Sequence, residues 1–78
     1  MSPGAQLHEV GGHVSAVQEH RFRLATDAGQ TYLFTVSHDA PIDTPDLQRL
    51  VRTGAHVKVR YTGEPGLASG VAHAVQRS

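Results

Sequence analysis

The sequence lacks cysteine and tryptophan, and its only aromatic residues are two phenylalanines and two tyrosines. Without cysteine the chain can form no disulfide, no thiolate metal site and no cysteine nucleophile. Net charge is absent as well, because seven basic and seven acidic residues cancel. Since nucleic-acid-binding domains are usually basic overall, the neutral total disfavours that class, although it still allows a local basic patch.

Long apolar runs are also missing from the chain. No run approaches the roughly 20 residues that a membrane-spanning helix needs. The first eight residues, Met-Ser-Pro-Gly-Ala-Gln-Leu-His, do not combine a basic segment with an apolar block, as a signal peptide does. We therefore expect a cytoplasmic protein that does not associate with membranes.

A chain of 78 residues has room for one domain. A domain of this size buries only about 60% of the surface that its unfolded chain exposes, so its stability is modest. Since no disulfide can reinforce it, closure of a sheet or formation of a homodimer must contribute instead. Pro3-Gly4 disfavours regular structure near the start. We expect a flexible tail over residues 1–6 and a single domain over residues 7–78.

The period-two pattern of a β-strand is clearest between Gly54 and Gly63. Apolar and polar residues alternate there, so one face of the strand suits a core and the other suits solvent. The apolar face carries Val57, Val59 and Tyr61, and the polar face carries His56, Lys58, Arg60 and Thr62.

Similar patterns predict four more strands, over residues 7–18, 21–26, 30–37 and 70–76. Gly11-Gly12 interrupts the first strand, and paired glycines in a strand are typical of a bend, a bulge or a close approach of two backbones. Asp27-Ala28-Gly29 predicts a hairpin turn in which Gly29 supplies the positive φ. A glycine-rich loop is predicted over residues 63–69. In the last strand one phase contains Val71, His73 and Val75, and the pattern leaves open which face points inward.

A helix of about two turns is predicted between the third and fourth strands, starting at Thr44. We expect the Thr44 hydroxyl to cap it, Pro45 to occupy the first helical position and Gly54 to form the C-terminal cap. Apolar residues at i, i+3 and i+4 form one stripe, which must dock on the sheet because so short a helix is unstable alone. The stripe consists of Leu47, Leu50 and Val51.

The order strand–strand–strand–helix–strand–strand resembles the OB-fold, a small five-stranded Greek-key barrel. The resemblance covers residues 7–76 and is carried by Gly11-Gly12, the Thr44-Pro45 helix start and the positions of the loops. It concerns topology and matches no particular OB-fold family. It implies a mainly β, five-stranded OB-like barrel with one short helix between strands 3 and 4. An SH3-like barrel, which the helix disfavours, and a two-layer α+β sheet are the alternatives.

An OB-like barrel places the first strand between the second and the fourth. The outward residues of these three strands would then form a band that we call the basic stripe, consisting of His13, Arg21, Arg23, His56, Lys58 and Arg60. Such a stripe can bind a phosphate backbone or an anionic ligand. Charged outward positions also serve solubility alone, and Glu9, Glu19 and Asp27 can neutralise part of the stripe.

Other chemistry has little support in the sequence. The four aromatic residues lie in phase with apolar strand faces, so none is left to stack on bases as single-strand binders require. The six histidines lack the helical i, i+4 pairing with a glutamate that marks a zinc protease, and no cysteine can join them. No serine has the surroundings of a nucleophile elbow. We therefore expect no enzyme, no cofactor and no metal site.

The sequence thus favours a non-enzymatic interaction module that binds a protein partner, or itself as a homodimer, through strand edges and loops. The alternative is a nucleic-acid or anionic-ligand binder that uses Arg21, Arg23, Lys58 and Arg60. The two hypotheses differ in salt dependence, because binding to phosphate falls steeply as salt rises.

Overall fold

A computed structural model describes residues 7–64 and 70–78 of the chain. Within them lie five strands, β1 (His8–Gln18), β2 (Arg21–Thr26), β3 (Thr31–Val36), β4 (His56–Thr62) and β5 (Gly70–Arg77), and one helix, α1 (Thr44–Thr53). The predicted mainly β fold, with a short helix between the third and fourth strands, is confirmed. The predicted tail over residues 1–6 and the part of the predicted loop over residues 65–69 lie outside the described residues.

The five strands form a closed barrel in the order β1-β2-β3-β5-β4. β1 pairs antiparallel with β2 on one side and with β4 on the other, as the resemblance implied. The seam between β3 and β5 is parallel and consists of three residue pairs, from Phe34↔Gly70 to Val36↔Ala72. This arrangement is consistent with an OB-like barrel.

The inward residues of the strands fill the barrel. Phe22 and Phe34 face each other across β2 and β3, and their ring centroids lie 5.4 Å apart. Tyr32 and Tyr61 are half-buried and pack against this core. The fully enclosed residues are Val14, Phe22, Leu24, Phe34, Leu47, Val57, Val59 and Ala72. The aromatic side chains therefore serve the core, as their phase predicted.

Gly12 marks a close approach of two backbones. A Cβ placed on it would lie 2.2 Å from the carbonyl oxygen of Ala25 in the neighbouring strand β2. The paired glycines indicated a bend, a bulge or a close approach of two backbones, and Gly12 shows the close approach. The bulge of β1 lies farther along, between Val14 and Ala16. Gly29 has the predicted positive φ, 88°, in the turn between β2 and β3.

The first turn of α1 is capped by Asp43, so the prediction of a Thr44 cap is wrong. Asp43 has the extended backbone that an N-cap needs, and its carboxylate accepts a hydrogen bond from the Asp46 N–H at 3.2 Å. The Thr44 hydroxyl donates instead to the carbonyl of Glu19, at 3.0 Å. At the other end Gly54 adopts the left-handed conformation, φ 65°, as predicted.

Helix α1 packs on the barrel mainly through Leu47, which is 1% exposed, and through the half-buried Leu50. Val51, the third residue of the predicted stripe, is 36% exposed. The helix therefore contacts the barrel along a narrower line than its apolar pattern predicted. No helix in the described part of the chain is long and apolar enough to cross a lipid bilayer.

Strand β5 changes face at His73. The β4–β5 register slips there, because Arg60 pairs with Ala74 whereas Tyr61 pairs with Ala72. Such a bulge shifts the alternation of side chains by one position. Ala72 is fully buried and Val75 packs against the core. The single phase predicted for residues 71, 73 and 75 is therefore wrong.

Candidate functional site

The residues of the basic stripe lie on the outer wall of the barrel in two separate halves. The β4 half lies opposite residues 9–13 of β1, whereas the β2 half lies opposite residues 16–18. Their nearest positions on β1, residues 13 and 16, are three residues apart, which is about 10 Å along a strand. The β4 half contains His56, Lys58 and Arg60 together with His13 from β1, and the β2 half contains Arg21 and Arg23.

Glu9 offsets one of the two permanent positive charges in the β4 half. It lies directly opposite Arg60 in the β1–β4 ladder, and its Oε2 lies 3.3 Å from Nε of Arg60. Its second oxygen lies 4.0 Å from Nζ of Lys58. One carboxylate thus faces two cations, and this half of the stripe keeps only one positive charge in excess for a ligand.

His56 is held between two other side chains. Its Nε2 lies 2.8 Å from Oδ2 of Asp27, and its Nδ1 contacts the hydroxyl of Ser78. Because a carboxylate can only accept, Nε2 donates to it, and Nδ1 faces the hydroxyl. The two ring nitrogens have exchanged partners relative to acyl-transfer triads, in which Nδ1 faces the carboxylate and Nε2 faces the hydroxyl. We therefore interpret the hydrogen-bonded side chains of Asp27, His56 and Ser78 as a structural link between the β2–β3 turn, β4 and the end of β5.

The β2 half of the stripe keeps its charge. Arg21 and Arg23 are exposed, and neither has an acidic partner among residues 7–64 and 70–78. They border a shallow hollow of about 190 Å³. Its other lining residues are Ala16, Gln18, Phe22 and Leu33. The hollow therefore combines two free guanidinium groups with a small apolar surface, and an anion fits this chemistry.

The histidines do not assemble a metal site in the described part of the chain. No group of three or more His, Cys, Asp and Glu residues there is placed to hold a metal ion. The rings of His13 and His56 meet edge to face, with centroids 5.4 Å apart. Nε2 of the part-buried His73 lies 3.0 Å from the Thr62 hydroxyl, so this ring has the partner that burial requires.

Tyr61 lies at the rim of the barrel, in contact with the rings of His8, Tyr32 and Phe34. Burial raises its pKa, and the nearby Tyr32 and Glu64 raise that pKa further. A tyrosine in such surroundings stays protonated at neutral pH, so it contributes an uncharged hydroxyl to the rim.

Strand β5 extends beyond its partner β3. The β3–β5 seam ends at Ala72, so residues 73–77 pair with β4 alone within the described residues. The N–H of Ser78 donates to the carbonyl of His56 at 3.0 Å. Hydrogen-bonded and non-hydrogen-bonded pairs alternate along an antiparallel ladder. The peptide groups of Val75 and Arg77 therefore point away from β4, and we call this side of residues 75–77 the β5 edge.

A groove of about 240 Å³, which we call the β5 groove, lies between the β5 edge and α1. Its apolar walls are Pro41, Ile42, Leu50 and Val75, and its polar residues are Asp46, Arg49, Thr53 and Arg77. The sequence did not reveal this groove. The pattern of residues 70–76 shows a strand but not how far the neighbouring strand overlaps it.

No protein-family model matches the sequence, and no curated protein matches it. Among solved structures, the fold is similar to that of apo-CusF, residues 6–88, from Escherichia coli. The TM-score is 0.71, and the similarity covers 100% of this chain and 95% of that chain. Sequence identity is 15%, so the likeness shows a shared small barrel fold alone.

Proposed function

We propose that this domain is a non-enzymatic, cytoplasmic interaction module that binds an extended segment of a protein partner at the β5 edge. The observation that supports the proposal is the length of β5, which continues past the end of the β3–β5 seam. Over most of the wall each strand has neighbours on both sides, and such pairing removes the edges at which other chains can pair. The β5 edge combines peptide groups that point away from β4 with a neighbouring groove that has apolar walls.

An added strand gains affinity and specificity from different groups. The N–H and C=O groups of Val75 and Arg77 point outward along the edge and can pair with the main chain of a peptide. Alternate side chains of that peptide enter the β5 groove, which has an apolar wall. This division between main-chain hydrogen bonds and side-chain pockets is the general mode of β-strand addition.

A randomised library of seven-residue peptides, displayed on phage, tests the proposal. We expect enriched peptides to shift the amide resonances of residues 73–77 and of the groove walls in an NMR titration. Arg77→Pro removes an edge N–H and should weaken binding by about tenfold, the cost of losing one hydrogen bond. Arg77→Ala keeps that N–H and separates the loss of the hydrogen bond from the loss of charge. Resonance shifts confined to other strands would refute the proposal.

Self-association is the second outcome that this experiment must recognise. If the β5 edge pairs with a second copy of the chain, light scattering will show a dimer that Arg77→Pro dissociates. A monomer that binds peptides supports the first form of the proposal. A monomer that binds no peptide counts against both forms.

A second candidate function is the binding of an anionic ligand at the β2 half of the basic stripe. It is favoured by Arg21 and Arg23, which lack acidic partners in the described residues. Single-stranded DNA and RNA oligonucleotides, and inorganic polyphosphate, are suitable probes at low salt. Replacing both arginines with alanine should abolish binding, whereas replacing both Lys58 and Arg60 should leave most of it. Binding that does not fall as salt rises would exclude this function.

A further inference from the structure

The side chains of Val75 and Arg77 form a short, chemically mixed row beside the β5 edge. Two residues apart on a strand, they lie on the same face of β5. In the β4–β5 ladder they lie opposite Val59 and Val57, both of which point inward. Both residues also line the β5 groove. A strand bound at the edge would therefore place every second side chain beside this row.

The two positions of the row have different surroundings. Val75 packs against the barrel core, as do Ile42 and Leu50 of the groove wall. Directly opposed side chains of paired strands lie about 4.5–5.5 Å apart. A peptide side chain opposite Val75 therefore lies beside an apolar side chain that packs against the core, and an apolar residue is favoured there.

The surroundings of Arg77 favour the opposite chemistry. Arg77 has no acidic partner among the residues that the structure describes. The groove also contains Arg49 and Asp46, which lie 4.0 Å apart and offset each other. The groove therefore has one guanidinium group in excess. A carboxylate opposite Arg77 would form a cross-strand ion pair, whereas a lysine there would be repelled.

We infer that the β5 groove selects an extended peptide with an apolar residue and an acidic residue two positions apart. The inference rests on the proposed binding at the β5 edge and adds the chemistry of the partner. The spacing of two follows from the strand pleat. The order of the two residues depends on the direction of the bound strand, so the motif reads apolar–x–acidic in one direction and acidic–x–apolar in the other.

The same displayed library provides the test, because its enriched sequences report the preference directly. With the unaltered domain we expect Asp or Glu two positions from Val, Ile or Leu. Arg77→Glu should reverse the preference at the acidic position to Lys or Arg, with at least about a tenfold change in the ratio of the two affinities. Arg52→Glu is the matched control, because it changes the net charge equally on a helix residue that does not line the groove.

The outcomes separate this inference from the proposed function. Peptides that map to the β5 edge but keep the same preference in Arg77→Glu overturn the inference and leave strand addition intact. The inference also fails if Arg52→Glu changes the preference as much as Arg77→Glu, since the effect is then general electrostatics. If no peptide maps to the β5 edge, or a dimer at this edge excludes all peptides, the inference fails together with peptide binding.

Discussion

Nε2 of His56 and Oδ2 of Asp27 lie 2.8 Å apart, although β1 runs between β4, which carries His56, and β2, which ends just before Asp27. The contact crosses β1 at Gly11. A Cβ on Gly11 would lie 2.8 Å from Oδ2 of Asp27 and 3.2 Å from Cε1 of His56. The missing side chain at this position therefore provides the space in which the imidazole and the carboxylate meet.

The two neighbouring glycines of β1 should respond differently to alanine. In Gly11→Ala the new methyl group meets a carboxylate that can rotate away. We expect the His56–Asp27 contact to be lost at a cost below about 1 kcal/mol, as for other exposed side-chain contacts. In Gly12→Ala the methyl group meets the backbone of β2, and we expect a loss of about 3 kcal/mol. Urea unfolding followed by circular dichroism compares the two variants, and equal losses would contradict the assigned geometry.

Removing the helix cap should lower stability measurably. In Asp43→Ala the Asp46 N–H loses its acceptor, and we expect the free energy of unfolding to fall by about 1 kcal/mol. Asp43→Asn is the control, because the amide oxygen can accept the same hydrogen bond. Thermal or urea unfolding measures both variants. If Asn is as damaging as Ala, the side-chain cap is not the source of the effect.

Tyr61 should make stability depend on alkaline pH. Its pKa is raised in the folded protein by burial, by Tyr32 and by Glu64. An unfolded tyrosine ionises near pH 10, so above that pH the unfolded chain loses this proton first. The contribution of Tyr61 is therefore full below about pH 10 and is lost as pH rises toward its folded pKa. The free energy of unfolding, measured by urea denaturation at a series of pH values, should fall less steeply with pH in Tyr61→Phe than in the unaltered protein. An identical fall in both proteins would disprove the assignment.

Glu9→Gln should alter ligand binding more than stability. The substitution releases Lys58 and Arg60 from exposed ion pairs, which typically contribute about 0–1 kcal/mol. With its cations free, the β4 half should bind a fluorescent oligonucleotide more tightly at low salt, by a few-fold. Fluorescence anisotropy measures this change. Gln18→Glu, which adds a negative charge beside Arg21, should have the opposite effect, and no difference between the two variants would contradict the assigned role of charge.

Alternation of residue types was sufficient to predict the strands, and their order around the helix indicated the barrel. Val57 and Val59 are fully buried because a strand sends every second side chain to the same face. Gly54 could be predicted as a cap because the left-handed conformation favours glycine. Asp43 was missed because both it and Thr44 are good N-cap residues, and only the backbone conformation distinguishes them.

The candidate sites depend on pairing between strands, which the pattern of a single strand does not contain. Glu9 and Arg60 are far apart in the chain, and the β1–β4 register brings them together. The bulge at His73 also left no trace in the sequence, because both faces of the last strand carry small or apolar residues. The β5 edge arises from the limited overlap of two strands, so it became visible only with the topology.

The seam between β3 and β5 has only three residue pairs, so a ligand at the β5 edge would also stabilise the barrel. A bound strand would run along the same side of β5 as β3 does, immediately beyond the point where β3 leaves. It would thereby hold β5 in register where the barrel has few hydrogen bonds to resist opening. Occupancy of the β5 edge would then raise the thermal unfolding midpoint in proportion to the logarithm of ligand concentration. The partner would thus also stabilise the folded state of this domain.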